Sequence, residues 1–123
     1  MANINYCVLG GYMARTPDLR YTPQGTPVAD FAIAVNRQWK DKDGTKKSEA
    51  DFFDCVAWQR TAEIAGEHLK KGQPVLLEGH LQQERWEDKE GGRRSKIKMI
   101  VERIHFLGAK ETEGEEPEDD KPV

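Results

Sequence analysis

The sequence predicts an all-β domain with one helix, a five-stranded Greek-key barrel drawn out by long hairpins. Three observations predict it. Short apolar stretches alternate with a period of two, as half-buried strands do. One segment of helical period falls between the third and fourth of these stretches. Turn-forming clusters at Pro23-Gln24-Gly25, Asp41-Lys42-Asp43-Gly44 and Glu90-Gly91-Gly92 mark the hairpins.

The first strand is expected over Asn3–Leu9, with Gly10-Gly11 read as a bend. Val28–Val35 is the second, with Phe31, Ile33 and Val35 on one side. Asp51–Trp58 is the third: Phe53, Cys55 and Ala57 share a side that reads as core, and Phe52, Asp54, Val56 and Trp58 share the other. The helix covers Thr61–Lys71. It places Ala62, Ala65 and Leu69 on one face, ends in Lys70-Lys71 where cations suit the helix dipole, and stops at Gly72. Pro74–Leu81 and Ile97–Phe106 complete the set. Three strands, a helix and two strands is the order of an oligonucleotide-binding Greek-key barrel, the OB-fold.

A chain of 123 residues with 37% hydrophobic and 33% charged residues suits one soluble domain with much working surface. No apolar run approaches the roughly 18 residues of a membrane span. Met1 to Tyr6 has the layout of neither a secretory signal nor a transit peptide, so a cytoplasmic, nucleoid-associated location is expected. Cys7 and Cys55 lie in strand-like runs and read as buried thiols rather than a disulfide. His68, His80 and His105 fall outside metal-ligand spacings, so no metal or other cofactor is expected and each histidine reads as structural or surface.

The formal charge of -3 conceals a division. Residues 1–110 hold 18 Lys+Arg against 15 Asp+Glu, a net of +3; residues 111–123 hold one lysine against seven acids, a net of -6. The first segment is expected to be the barrel domain. The second has one aliphatic residue, at its end, and cannot bury enough surface to offset the entropy of ordering, so a disordered acidic tail is expected.

Four bulky aromatics stand inside charged stretches: Trp39 in Asn36-Arg37-Gln38-Trp39-Lys40, Phe52 in Glu49-Ala50-Asp51-Phe52, Trp58 in Ala57-Trp58-Gln59-Arg60, and Trp86 in Glu84-Arg85-Trp86-Glu87-Asp88. Rings beside cations can stack on bases while their neighbours hold phosphates, which is the chemistry of single-strand binding. Phase supports an open platform for Phe52 and Trp58, which flank Asp54 on one side of a strand. Trp86 is out of phase with Val75, Leu77 and Leu81, so it too should leave the core. Trp39 is in phase with Phe31, Ile33 and Val35 yet enters a charged hairpin where a bulge could reset the phase.

Other chemistries find no support. The twelfth position counted from Asp41 is Phe52, not the glutamate a calcium loop requires. Neither glycine pair leads from a strand into a helix with the lysine of a phosphate loop, and both read as bends. No Ser/His/Asp or Cys/His grouping has supporting spacing, so no enzyme is expected; Asp51 and Asp54 sit in a strand without an evident partner.

Four blocks carry a family resemblance: residues 17–29 (Pro17 to Ala29), Phe31 to Arg37, Leu69-Lys70-Lys71-Gly72 and Leu77-Glu78-Gly79-His80-Leu81. In that order they resemble the bacterial single-stranded DNA-binding proteins over about residues 3–108. The resemblance implies base stacking by Trp39, Phe52, Trp58 and Trp86. It places Arg20, Arg60, Lys71 and Arg94 along the strand's path, and Arg37, Lys40, Arg85 and Lys96 complete the candidate cations. It further implies a homotetramer around which single-stranded DNA wraps. Glu84 stands where the family commonly has arginine, and Ser95 where an aromatic is often found. The family's acidic tip closes in Ile-Pro-Phe and docks replication and repair proteins. Here Glu118, Asp119, Asp120, Pro122 and Val123 are the corresponding candidates, without the terminal phenylalanine.

The function expected is nonspecific single-stranded DNA binding in replication, recombination and repair. Two rivals are a protein-interaction or replication-restart accessory module on the same barrel, and a small metal-dependent hydrolase using Asp51 or Asp54.

Overall fold

The computed structural model describes residues 2–107. In chain order its elements are β1 (Cys7–Met13), β2 (Asp18–Tyr21), β3 (Pro27–Lys40), β4 (Lys46–Trp58), α1 (Gln59–His68), β5 (Pro74–Glu87) and β6 (Arg93–Phe106). Strands pair in the order β1-β5-β6-β4-β3, and β1 pairs again with β3, which closes a five-stranded OB-fold barrel; β2 adds to the free side of β3. The acidic tail expected over residues 111–123, with its docking candidates, lies outside the described residues.

Closure depends on a glycine. β1 meets β3 at Tyr12↔Ala34 and Met13↔Ile33, and a Cβ on Gly11 would lie 2.2 Å from the Ala34 carbonyl oxygen. Gly10-Gly11 is therefore strand, not the expected bend, and the first strand runs over Cys7–Met13 rather than Asn3–Leu9. On β5 the register shifts between Glu78 and Gly79. A Cβ on Gly79 would sit 1.8 Å from the Ile100 oxygen, so this irregularity also needs glycine.

Inside the barrel Met13, Phe31, Ile33, Cys55, Val75, Leu77, Met99 and Val101 form the core. Each large side chain buried there contributes about 1.5–3 kcal/mol relative to exposure. Helix α1 is packed on that core by Ala62 and Ala65, with Leu69 at its C-cap. It starts two residues before, and ends three before, the expected Thr61–Lys71, and Gly72 follows at φ 88° as the stop signal required. Both cysteines are free, Cys55 buried and Cys7 only partly so; burial pushes the Cys55 thiol up to about 12.

All three hairpins close with one turn. Thr22, Asp41 and Asp88 open it: in each case the amide nitrogen three residues on donates to their carbonyl, and their own amide donates to the carbonyl four residues on. The fourth residue is Gly25, Gly44 or Gly91, at φ 88°, 83° and 83°. This is a type I turn followed by a left-handed residue, where glycine carries no Cβ penalty. The opening side chain holds the turn: Thr22 Oγ1 accepts from the Thr26 amide at 3.1 Å, Asp41 Oδ1 from the Thr45 amide at 3.1 Å, and Asp88 Oδ1 from the Gly92 amide at 2.7 Å. The Asp41 loop is thus a hairpin turn, and Gly91-Gly92 belongs to another.

Candidate nucleic-acid interface

β4 pairs in parallel with β6 at Cys55↔Met99, Val56↔Ile100 and Ala57↔Val101. Cys55, Ala57, Met99 and Val101 point into the core. By alternation Phe52, Asp54 and Trp58 point out, together with Lys96 and Lys98 of β6. β5 joins this face through direct cross-strand partners, Trp86↔Arg94, Glu84↔Lys96 and Gln82↔Lys98. Ion pairs tie the strands together: Lys96 Nζ lies 3.4 Å from Asp54, and Lys98 Nζ 3.7 Å from Glu84. Phe52, Trp58 and Trp86 therefore share one outward face, 65%, 43% and 45% exposed.

Trp58 ends its strand because Gln59 adopts φ 60°, the left-handed region, and turns the chain into α1. Arg60, in the first turn of that helix, meets Glu63 at 3.3 Å. Arg20 of β2 reaches Asp30 of β3 at 2.7 Å, and both line a shallow charged groove with Arg15, Asp54, Glu84, Lys96 and Lys98. Lys98 and Arg15 are absent from the sequence-derived candidates. The period-two run Arg94, Lys96, Lys98 is the signal that could have found Lys98.

Trp39 keeps the core phase, since β3 and β4 pair without a break from Val28↔Trp58 to Lys40↔Lys46. No bulge resets it. The hairpin instead outruns the barrel, leaving the core-phase side of its far end uncovered and Trp39 41% exposed. The Arg37 guanidinium lies over this ring, 5.0 Å from its centroid. Asp51 holds Arg37 at 2.8 Å and Glu49 at 3.3 Å. The hydrogen bond to Asp51 raises the Arg37 pKa, and the same bond lowers that of Asp51.

Four expectations are corrected. Phe53, expected in the core, is exposed: the β4–β6 ladder covers only Cys55 to Ala57, so Phe53 has no paired β6 residue on that side. Val56, expected on the open platform, is buried because Ile100 and Asp30 flank it on the two sides. Asp51 and Asp54 have partners, in Arg37 and Lys96. The four-residue β2 adds a strand that the sequence reading did not contain.

The remaining candidates divide. Arg94 stands opposite Trp86, its Nε 2.9 Å from Asp88, and Arg94 with the turn amides of Gly92 and Glu90 keeps the Asp88 carboxyl below the usual range. Arg85 alternates to the opposite side of β5, where it donates to Gln83 at 2.5 Å. Lys40 faces Lys46 at the tip of the β3–β4 hairpin. Lys71 lies in the turn after α1, its amide donating to Thr16 Oγ1 at 3.2 Å. The histidines sit at the surface: His80 pairs with Glu102, His105 with Glu78, and His68 with Glu67. Among the described residues no cluster of three His, Cys, Asp or Glu could hold a metal, and no helix is long and apolar enough to cross a membrane.

The comparisons with known proteins converge. The single-stranded DNA-binding protein of Oceanobacillus iheyensis is 40% identical over 111 residues, 90% of this chain and 68% of that protein. That of Wolinella succinogenes is 42% identical over 106 residues, 86% of this chain and 65% of that one. The chain thus spans about two thirds of the length of these relatives. A solved chain from a Plasmodium falciparum SSB complex with ssDNA superposes with a TM-score of 0.79 at 25% identity, covering 87% of this chain and 97% of that chain. Residues 4–107 match the profile of the single-strand binding protein family, and with that match over most of its length the chain belongs to this family.

Proposed function

We propose that this protein binds single-stranded DNA without sequence preference, coating and protecting exposed strands during replication, recombination and repair. The observation that carries the reading is the outward face of β4, β5 and β6, where three exposed rings, Phe52, Trp58 and Trp86, stand among Arg94, Lys96 and Lys98. Each ring offers a stacking surface worth about 1–3 kcal/mol per base, and every base has a π-face, so sequence matters little. Trp39, with Arg20, Arg37, Lys40, Arg60, Lys71 and Arg85, extends the path. The family's name is that of a binding protein, and we assign this chain no catalytic role.

The working unit in this proposal is a homotetramer in the cytoplasm, associated with the nucleoid. Exposed apolar side chains at Tyr6, Val8, Tyr12, Phe53, Leu81 and Ile97 give copies of the chain surface to bury. Residues 1–110 act as the binding domain. The -6 segment at residues 111–123 acts as a tethered polyanion that competes with DNA for the cations of the +3 domain and contacts other replication and repair proteins.

Intrinsic fluorescence tests the reading. A single-stranded poly-pyrimidine should quench tryptophan emission strongly and a matched duplex hardly at all; equal quenching by both would refute it. In sedimentation the chain should run near four times its 14.0 kDa mass, and a monomer at micromolar concentration would refute the assembly alone. Deleting residues 111–123 should tighten binding at low salt, and unchanged affinity there would remove the competitor role.

A further inference from the structure

We infer that Asp54 and Glu84 are specificity-determining residues of this interface: they occupy Lys96 and Lys98, so on this outward face a strand is held by its bases and only weakly by its backbone charge. The inference rests on the single-strand reading and sharpens it. On the outward face Arg20, Arg94, Lys96 and Lys98 each meet one carboxylate within 3.7 Å, so these cations and their partners sum to zero charge. Asp88 also caps its turn. Asp54 and Glu84 instead reach their lysines from the strands themselves, Asp54 in phase between Phe52 and Trp58 and Glu84 two residues before Trp86.

A phosphate that approaches Lys96 or Lys98 comes within a few ångströms of a fixed negative charge, well inside the screening length of about 10 Å at 0.1 M salt. It must displace that carboxylate and then lie beside it. Duplex DNA offers phosphates but no free base faces, so nothing offsets this repulsion. A single strand offers bases to Phe52, Trp58 and Trp86. The carboxylates thus act as the repulsive element that separates the wanted ligand from the unwanted one.

Fluorescence titration of the full chain with single strands and duplex, at several salt concentrations, tests this. Asp54→Asn and Glu84→Gln should each steepen the log-log salt slope by about 0.7, one phosphate's worth. That corresponds to about eightfold tighter binding at about 50 mM salt and about threefold at about 200 mM, because the counterion contribution vanishes near about 1 M. The double variant should also begin to bind duplex. Adding Lys96→Gln to Asp54→Asn should cancel the gain. The parent should keep measurable binding to an uncharged-backbone oligonucleotide, held by its bases on this face, a measurement that needs no variant to fold.

Unchanged slopes in both single variants, with the parent still quenched by single strands, would overturn the inference and leave the single-strand reading standing. An equal gain from Glu67→Gln on α1, the same change in net charge away from this face, would also overturn it. Loss of binding to the uncharged backbone would do so too. Absence of quenching in the parent would sink both readings together.

Discussion

The hairpin that joins β3 to β4 and the one that joins β5 to β6 end in the same turn, opened by Asp41 or Asp88 and bent at Gly44 or Gly91. Their flanks differ. At the first tip Lys40 faces Lys46, and Trp39 faces Lys47; at the second Glu87 faces Arg93, and Trp86 faces Arg94. Like charges directly across a ladder destabilise it and opposite charges support it. The β3–β4 tip therefore carries a cation pair whose repulsion an anion would relieve, and the β5–β6 tip is closer to neutral. The rings differ as well. Trp39 stands on the core-phase side beneath Arg37, and Trp86 on the outward face with Phe52 and Trp58. One backbone device thus supports two electrostatic designs, a cationic arm and a stacking arm.

Replacing the rings should have the largest effect on either arm. Trp86→Ala and Trp39→Ala should each lower single-strand affinity by about 1–3 kcal/mol, with melting shifts that correspond to no more than about 0.5 kcal/mol. Arg37→Ala should weaken binding less than Trp39→Ala, since the ring remains. A sharp fall in melting temperature with unchanged affinity would make the rings structural and dissolve the comparison.

The shared turn is tested by Gly44→Ala and Gly91→Ala. Open space surrounds both positions, so the cost is conformational, about 1–2 kcal/mol for a left-handed non-glycine residue. Equal losses of stability in chemical denaturation would confirm one device shared by these two arms. A loss at only one position would show that the two tips bear unequal loads.

The barrel was legible in sequence where burial is two-sided and regular. Phe31 and Ile33 on β3, Val75 and Leu77 on β5, and Ala62, Ala65 and Leu69 around α1 all fall on the expected side. Legibility failed where a contact, rather than a pattern, decides. Gly11 resembles a bend until the Ala34 carbonyl comes to lie against it. Phe53 alternates like core but lies beyond the end of the β4–β6 ladder. The outer ends of β3 to β6 carry charged residues without apolar alternation, so the expected strands stopped at Val35 and Leu81, whereas the ladders run on to Lys40 and Glu87. The ring positions stood out because aromatics inside charged runs are unusual. The Asp54–Lys96 pair depends on register between strands distant in sequence and the Glu84–Lys98 pair on the register of a hairpin, and neither left a local trace.

Charge at the tips gives a smaller effect than ring loss. Lys40→Gln or Lys46→Gln should reduce the log-log salt slope by about 0.7 when one phosphate contact is lost, a cost of about 1 kcal/mol near about 50 mM salt. Arg93→Gln, on the balanced tip, should leave the slope nearly unchanged. Equal slopes for the three variants would mean that both arms meet the backbone alike.

Acid distinguishes the tips least in magnitude but most clearly in cause. The Asp43 carboxyl is lowered from 3.8 to about 2, first by its hydrogen bond with Asp41 and then by the hydroxyl and amide of Thr45. Asp88 is lowered chiefly by Arg94. A carboxylate with a depressed folded pKa contributes stability that is present above its unfolded value, near 3.8 here, and is lost as pH falls through the folded value. Both tips should therefore hold at pH 5 and loosen below about 4, seen in the amide resonances of Thr45 and Gly92. The cause separates them: Arg94→Gln should move the Gly92 transition to higher pH and leave that of Thr45 in place, and added salt should shift the Gly92 transition more, because the Arg94–Asp88 pair at 2.9 Å is closer than the Lys47–Asp41 pair at 3.7 Å. Movement of both transitions together would show that the acid response belongs to the barrel as a whole rather than to either arm.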